Sequence, residues 1–437
     1  MIDWEGLVTK VEKVETVAWA GKVQQVVGLV ITGKGPQASV GSVCKIDMAP
    51  PGSPVYAEVV GYRQGQVLLM PYGEVRGVEP GSKITLTQTQ ASAAVGDALL
   101  GRILDGLGQP LDGLGAIPNE GKYPLYVHPI NPVTRRRISE PVDVGIRAIN
   151  GLLTLGKGQR MGIFAGSGVG KSTLMGMIAR YTRADISVIA LIGERGREVK
   201  EFIENDLGKE GLARSVVVAA TSDTPALLRI RGAYLATTIA EYFRDQGRDV
   251  ILMLDSITRF AMAAREIGLA IGEPPTARGY TPSVFAQLPR FLERAGTHGG
   301  SGSITGIYTV LVEGDDLTEP IADAVRSIAD GHIVLSRALA DRGHYPCIEL
   351  LGSVSRVMSS ITSPEHRRNY KQLVKVLAAY RQAEDLININ AYVRGSNPEI
   401  DYALQKIDAV NHYLQQEVEQ GVSLEDSIQS LAAIFAS

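Results

Sequence analysis

The chain has 437 residues, of which 45% are hydrophobic and 21% are charged, a composition that is typical of globular proteins and excludes a disordered chain. Lys plus Arg is 44 and Asp plus Glu is 47, and the resulting formal charge of −3 argues against a protein that binds nucleic acid through bulk positive charge. Two cysteines without metal-ligand spacing, no apolar run of roughly 18 residues and no signal-peptide core predict a cytoplasmic protein.

The N-terminal part predicts a small β-barrel domain at residues 1–90. Short β-rich runs at 24–33, 56–62, 65–73 and 82–88 alternate with glycine turns. Strands of this length at intervals of about ten residues favour a small closed barrel or sandwich. At the very start, four apolar residues have helical spacing and predict either a partner-binding helix or the beginning of the barrel: Trp4, Leu7, Val11 and Val14.

The middle of the chain predicts an α/β domain at residues 91–362. It begins with a proline-rich, loop-rich segment up to about residue 157, which we expect to be extended. Nearly continuous apolar runs then alternate with helical patterns, as expected for a parallel sheet that is covered on both faces. The runs are 160–164, 187–192, 249–254, 304–312 and 332–336. Residues 363–437 have helical apolar spacing and predict a C-terminal helical domain.

A glycine-rich segment at residues 165–173 predicts a phosphate-binding loop. It follows an apolar strand and opens a helix, and its glycines let backbone N–H groups turn toward phosphate oxygens. Lys171 is expected to reach the β- and γ-phosphates and the Ser172 hydroxyl to ligate Mg²⁺. The first consensus glycine is replaced by Ala165. The residues expected to bind the nucleotide here are Gly166, Ser167, Gly168, Val169, Gly170, Lys171, Ser172 and Thr173.

Two acidic residues follow other apolar strands. Asp255 ends the run 249–254 and is expected to hold Mg²⁺ together with Ser172, directly or through water. Glu194 follows the run 187–192, and since parallel strands end at the same edge of a sheet, we expect it near Lys171. A carboxylate there polarises the attacking water. Spacing alone leaves open whether residues 193–198 form this site or a solvated charged loop.

Six stretches of the chain closely resemble the flagellum-specific ATPases of bacterial type III export: 158–173, 190–202, 255–267, 272–296, 302–323 and 330–337. The wider relatives of that family are the catalytic subunits of rotary ATP synthases and the ATPases of virulence injectisomes. The resemblance implies an α/β fold with a RecA-like P-loop core, an N-terminal β-barrel and a C-terminal helical domain. It also implies ATP as substrate and Mg²⁺ as metal.

The resemblance also implies roles for single residues. Glu194 corresponds to the residue that activates water, and Arg195 to one that contacts the γ-phosphate. Arg259 is expected near the phosphates. Tyr345 corresponds to a residue that stacks on adenine, although the residue type alone favours a buried core tyrosine. Arg356 corresponds to a finger that acts in trans on the neighbouring subunit, although a surface ion pair is the simpler reading of an arginine.

For the whole protein, the resemblance implies a homohexamer that hydrolyses ATP to energise type III export of flagellar proteins, by unfolding them or releasing chaperones and delivering them to a membrane export gate. The implied partners are a stator-like regulatory subunit at the N-terminus, a coiled-coil central stalk protein, chaperone–substrate complexes and the gate, and no nucleic acid. The expected location is cytoplasmic, peripherally on the inner face of the cell membrane at the flagellar export apparatus. Loops 272–282 and 313–320 are expected to face the central pore.

Other functions remain open at this point. An injectisome ATPase is one alternative, because the resembling stretches match flagellar ATPases better than injectisome ATPases only by degree. A rotary synthase catalytic subunit would carry an acidic segment in the helical domain that this chain lacks. A Rho-like helicase is disfavoured by the charge and by the absence of an aromatic, basic platform in the barrel. A non-catalytic nucleotide-binding subunit would lack Glu194. The histidines share no metal spacing, and we expect no metal ligands among them.

Overall fold

The computed structural model describes residues 20–49, 52–312, 314 and 316–436, so the predictions for Trp4, Leu7, Val11 and Val14 lie outside the described residues. Within these residues the chain forms two compact units. The first holds the N-terminal residues up to 92 together with 124–126 and 266–273, and the second holds the rest. Among the described residues, no helix has the length and apolar character needed to cross a membrane.

The first unit contains a closed antiparallel barrel with the strand order β1-β2-β5-β4-β3-β6. Apolar side chains that alternate along the strands, such as Ile31, Ile46, Leu69 and Ile84, fill its interior. The predicted small barrel is therefore confirmed, and of the two forms left open it is the closed one. Its strands are β1 (Ala20–Val27), β2 (Val30–Lys34), β3 (Val43–Ile46), β4 (Val55–Arg63), β5 (Gln66–Pro71) and β6 (Lys83–Gln88).

The remaining strands form the large sheet of the second unit and two small two-stranded sheets. They are β7 (Ser92–Val95), β8 (Ile103–Leu104), β9 (Gly121–Pro124), β10 (Pro141–Val142), β11 (Leu155–Gly156), β12 (Arg160–Ala165), β13 (Ile186–Ile192), β14 (Ser215–Ala220), β15 (Asp249–Asp255), β16 (Gly296–Thr297), β17 (Ser303–Leu311), β18 (Gly331–Val334) and β19 (Val354–Ser355). The large sheet has the order β19-β18-β12-β17-β15-β13-β14-β8, with β16 paired to β17, and the two small sheets are β7-β9 and β10-β11. From β18 to β8 neighbouring strands are parallel, which confirms the predicted α/β core.

Helices cover this sheet and form the C-terminal domain. They are α1 (Arg147–Leu152), α2 (Lys171–Tyr181), α3 (Gly196–Glu201), α4 (Gly208–Ala213), α5 (Ala226–Asp245), α6 (Ile257–Ala270), α7 (Pro282–Leu292), α8 (Pro320–Ile328), α9 (Arg337–Asp341), α10 (Met358–Ile361), α11 (Pro364–Asn388), α12 (Pro398–Leu414) and α13 (Leu424–Phe435). A π-helical stretch, Phe202–Leu207, joins α3 to α4. The predicted proline-rich lead-in is mostly irregular but contains the short helix α1 and the five short strands β7 to β11.

The three last helices begin at sequence signals and share a core with the sheet domain. Ser363, Asn397 and Ser423 cap the N-termini of α11, α12 and α13 by accepting backbone N–H groups of the first turn. Their buried faces belong to the same hydrophobic cluster as α1 and α2. The predicted helical domain is confirmed, and its packing fixes these helices relative to α1, α2 and the sheet.

Candidate active site

The phosphate-loop segment connects β12 to α2. Gly168 and Gly170 have φ angles of 78° and 81°, in the left-handed region that side chains rarely adopt. Gly170 directly precedes α2, so the unpaired N–H groups of the helix N-terminus face the loop. The buried Val169 anchors it, because its carbonyl accepts a hydrogen bond from Cys347 Sγ at 2.7 Å. The backbone is therefore shaped to surround an anion.

Three charged side chains from separate strand ends meet beside this loop. The Lys171 ammonium forms an ion pair with Asp255 and lies 3.5 Å from Glu194 Oε1. Asp255 also accepts a hydrogen bond from Thr309 Oγ1 at 2.6 Å, across the neighbouring strands β15 and β17. The structure thus brings together the residues that the strand ends predicted.

The electrostatic surroundings set the protonation of this group. Burial raises the pKa of Glu194 to about 7, against the opposing charge of Lys171. Burial works to lower the pKa of Lys171, but the charges of Asp255 and Glu194 outweigh it and the pKa is raised. Lys171 is therefore a permanent cation at physiological pH, and Glu194 changes its protonation near neutrality, where a general base is most effective.

The side chains of the loop at 193–198 lie in two environments, one buried beside Lys171 and the other exposed to solvent. The Glu194 side chain is 15% exposed, whereas that of Arg195 is 80% exposed and pairs with Glu198 at 3.0 Å. Glu194 belongs to the buried cluster, while Arg195 lines the cavity and is mostly exposed to solvent. Glu198 was not predicted as a site residue; it lies on α3, four residues after Glu194, and contacts the Glu194 carboxyl group.

A cavity of about 910 Å³ opens over the phosphate loop. It is large enough for a nucleotide, since ligand sites commonly measure about 300–1,000 Å³. Lys171 and several guanidinium groups give the lining an excess of positive charge, which suits a polyphosphate. The arginines are Arg195, Arg259, Arg265, Arg278 and Arg337. The last three were not predicted as site residues, because no local motif marks them.

Arg259 is held at the cavity wall by close packing. At Gly193, where φ is 73°, an added Cβ would lie 2.8 Å from Arg259 Cβ, so a larger residue would displace α6. The Arg259 Nε is buried and has no hydrogen-bond partner within the described residues. A buried donor without an acceptor is costly unless a ligand satisfies it. A phosphate oxygen fits this requirement.

Tyr345 lies on the other side of the phosphate loop. Its ring is 46% exposed, so it is not a core tyrosine, and an added Cβ at Gly170 would lie 3.7 Å from its Cε1. It lines a mainly apolar cavity of about 360 Å³ together with Val169, Pro346 and Val418. An exposed ring beside an apolar slot and a phosphate loop is suited to stacking on a base.

Arg356 follows the edge strand β19 and is absent from the lining of the nucleotide cavity. Its Nη2 donates to the carbonyl of Arg326 at 3.2 Å. Within the part of the chain that the structure describes, it forms no ion pair, so the surface ion pair is not observed. Its charge is available to another molecule.

The oxygen donors near Lys171 fit a magnesium ion. The exposed Ser172 lines the cavity, and its hydroxyl and the Asp255 carboxylate are the hard donors that Mg²⁺ prefers. Asp255 is buried, bonded to Lys171 and Thr309, and does not line the cavity. Of the two arrangements that were left open, this favours contact through water.

The two predicted pore loops are linked to each other. Arg278 pairs with Glu319 and, at 3.3 Å, with Asp316. Arg278 and Glu319 also line the nucleotide cavity, so these loops connect the site to the surface. Glu313 and Asp315, which belong to the second loop, lie outside the described residues.

Comparison with known proteins gives one family along the whole chain. Residues 23–88 match the beta-barrel domain of the ATP synthase alpha/beta family, 145–355 match its nucleotide-binding domain, and 362–433 match the T3SS EscN ATPase C-terminal domain. The chain is 53% identical to the flagellum-specific ATP synthase of Bacillus subtilis over 98% of both chains. It is 50% identical to the type 3 secretion system ATPase of Xanthomonas euvesicatoria over 95% of this chain and 93% of that protein.

Solved structures agree with this. The assembled ATPase EscN from the enteropathogenic E. coli type III secretion system is 46% identical, covers 95% of this chain and 100% of its own, and has a TM-score of 0.90. EscN in complex with its central stalk EscO has the same identity and coverage and a TM-score of 0.88.

Proposed function

This chain belongs to the ATP synthase alpha/beta family, in the branch of the flagellum-specific and type III secretion ATPases, and we propose that it hydrolyses ATP to energise the export of flagellar proteins. The observation that carries the proposal is the convergence of Lys171, Glu194 and Asp255 beside a phosphate loop, inside a cavity with excess positive charge. This arrangement serves phosphoryl transfer to water.

Binding uses the loop and its cations. Backbone N–H groups at residues 166–170 and the N-terminus of α2 surround the phosphates, and Lys171 exchanges its carboxylate partners for phosphate oxygens. Arg259 donates a hydrogen bond from its unpaired Nε to the phosphates as well. Ser172, with Asp255 behind it, would hold a Mg²⁺ ion, which would supply further neutralisation of the phosphate charge. Tyr345 stacks on the adenine in the apolar cavity.

Hydrolysis needs a base and a counter-charge. Glu194 orients the attacking water and accepts its proton at the carboxylate, with a pKa near 7 that suits transfer in both directions. The negative charge on the γ-phosphate must also be balanced by a positively charged side chain in the transition state. Arg195 is mostly exposed, and it turns toward the phosphate when its pairing with Glu198 is released.

We propose that the missing charge comes from Arg356 of a neighbouring subunit in a homohexamer. The supporting facts are that Arg356 does not line its own cavity and that no described residue pairs with its charge. A related ATPase is known in an assembled form. The same chain carries the phosphate loop, the base and the finger, so identical subunits suffice for a ring.

Coupling to export would use the loops that touch both the site and the surface. The related EscN forms a complex with a central stalk. We propose that a coiled-coil stalk contacts residues 272–282 and 313–320 here, and that Arg278 passes its movement to the nucleotide cavity. The protein then acts in the cytoplasm at the base of the flagellum, against the export gate in the membrane, with a stator-like subunit and chaperone–substrate complexes as further partners.

The experiment has two arms. Phosphate release from MgATP by the purified chain should be abolished in Lys171→Ala, retained in the exposed control Lys375→Ala, and unaffected by added RNA; stimulation by RNA would favour the helicase. In cells that lack this gene, the wild-type chain should restore flagellar proteins in the medium and Lys171→Ala should not. Restoration of injectisome substrates in place of flagellar ones would favour the alternative export system.

A further inference from the structure

A third cavity, of about 440 Å³, lies between the sheet domain and the C-terminal helices of the second unit. One wall comes from residues 339–351 and the other from α11 and α12. It shares no lining residue with the two cavities beside the phosphate loop. Apolar atoms make up the larger part of its surface, and seven of its fifteen lining residues are aliphatic: Leu339, Ile348, Leu350, Leu351, Leu377, Ile407 and Leu414. The cavity is therefore a separate, mainly apolar space.

The charged groups at the rim are already neutralised. Arg342 pairs with Glu384 at 2.7 Å, and Arg381 forms two hydrogen bonds of 2.8 Å with Glu349. A planar guanidinium that is satisfied in this way has little attraction left for a further ion. The rim thus gives no preference for an anion or a cation, and an uncharged occupant suits it.

Besides Tyr380, the lining holds three uncharged polar side chains, His344, Asn411 and Gln415, of which His344 is the buried one. His344 is 9% exposed and lines the cavity, and its ring forms no hydrogen bond within the described part of the chain. Burial lowers its pKa, so the ring is neutral at physiological pH and offers one N–H donor and one acceptor. The ring nitrogens of His344 are not among the fully buried side-chain atoms without a partner, so water reaches them through the cavity, and the hydroxyl of a ligand would take the place of that water.

We propose that this cavity is a binding site for an uncharged aromatic small molecule that carries one hydroxyl group, with the ring system among the aliphatic side chains and the hydroxyl on His344. The volume lies within the range of about 300–1,000 Å³ that small-ligand sites occupy. Mainly apolar walls with a few polar groups, of which His344 is the buried uncharged one here, are the usual composition of such sites.

The site adjoins the adenine-side cavity through two pairs of consecutive residues. His344 lines the new cavity and Tyr345 the adenine side; in the same way, Gln415 lines the new cavity and Gln416 the adenine side. The Gln416 backbone N–H donates to the Tyr345 carbonyl at 3.0 Å, which ties the two segments together. An occupant therefore touches the neighbours of both residues, and we expect its binding to weaken ADP binding, with the reciprocal effect that linkage requires.

The test uses 2-naphthol as the probe and naphthalene as its matched control without the hydroxyl. Saturation-transfer NMR on the full chain should show 2-naphthol bound with a dissociation constant below about 1 mM. Naphthalene should bind about threefold to tenfold more weakly, the size of one hydrogen bond. In His344→Phe, which keeps a ring but removes both nitrogens, the two probes should bind equally.

Two filling variants locate the site. Leu377→Trp on α11 and Leu351→Trp at the exposed mouth should abolish the signal, and Leu351 is 38% exposed, so the larger side chain is tolerated there. Leu386→Trp, exposed on α11 outside the cavity, should leave it unchanged. No binding to the wild type, or undiminished binding to both filling variants, would overturn the proposal.

The coupling to nucleotide is measured separately. The dissociation constant of ADP should rise about fivefold with saturating 2-naphthol in the wild type and remain constant in Leu351→Trp. This arm alone rests on the proposed function, because it needs ADP to bind beside Tyr345. If ADP binds and its affinity does not change, the coupling is wrong; if ADP does not bind at all, the proposed function fails while the naphthol site is still decided by the NMR titration.

Discussion

Removal of the Arg356 side chain should inactivate the assembled enzyme without unfolding it. The side chain makes one hydrogen bond, to the carbonyl of Arg326, while the backbone N–H that holds the segment to Asp330 is unchanged in Arg356→Ala. We therefore expect a stability loss of no more than about 1 kcal/mol. Fingers of this kind contribute about 10³–10⁵ in rate, so turnover should fall at least about 10³-fold.

Mixing two inactive variants distinguishes action in trans from action in cis. In a ring assembled at random from equal amounts of Arg356→Ala and Lys171→Ala, half of the sites have an intact phosphate loop, and half of those face an intact finger, so about a quarter of the wild-type activity should return. If Arg356 acted within its own subunit, each subunit would lack one necessary group and no activity would return.

The assay is phosphate release at a series of protein concentrations, with the oligomeric state measured on the same samples. Specific activity of the wild type should rise with concentration, because an isolated subunit lacks a finger. Arg183→Ala is the control, since Arg183 is exposed and does not line the nucleotide cavity. Concentration-independent activity, together with no recovery in verified mixed rings, would refute the reasoning.

Three further predictions follow from the site. Lys171→Ala should bind ATP at least about 100-fold more weakly by equilibrium titration, since it removes an ammonium group that stays protonated in the site. Unchanged affinity would show that the loop does not hold phosphate. The kcat/KM for ATP should be constant above about pH 7 and fall as pH decreases through 7, because the base is useful only when it is deprotonated and the pKa of Glu194 is about 7; a flat profile down to pH 5 would exclude it as the base. Asp315→Ala combined with Asp316→Ala should leave basal turnover within about twofold but weaken stimulation by a stalk-like coiled coil, and added salt should reduce the wild-type stimulation more than that of the variant; equal salt dependence would contradict a charge-mediated contact.

The cluster of Lys171, Glu194 and Asp255 could be predicted from the sequence because each residue follows a strand. A phosphate loop after one apolar run and carboxylates after two others must converge if the strands are parallel and adjacent, and β13, β15, β17 and β12 are consecutive in the sheet. Local sequence patterns do not show which strands are neighbours in the sheet. Thr309, which bonds Asp255 from β17, becomes visible only once β15 and β17 are known to be paired.

Other parts were missed for reasons of length and distance. Strand β14, Ser215–Ala220, is a continuous apolar run whose signal was present but not assigned, whereas β8 has two residues and no pattern of its own. Arg278, in a loop, and Arg337, at the start of α9, are separated by more than fifty residues in the chain and reach the same cavity only through the fold. The same holds for His344, whose missing partner is a property of the packing and not of the sequence.

The central claim is that Glu194 is the base that activates water while other groups hold the nucleotide. The most direct test compares ATP affinity and turnover in Glu194→Gln, which is nearly isosteric but cannot accept a proton as a carboxylate does. We expect an ATP dissociation constant within about threefold of the wild type and a kcat that is lower by about 10²–10⁴. Turnover close to that of the wild type, or a collapse of nucleotide affinity, would contradict it.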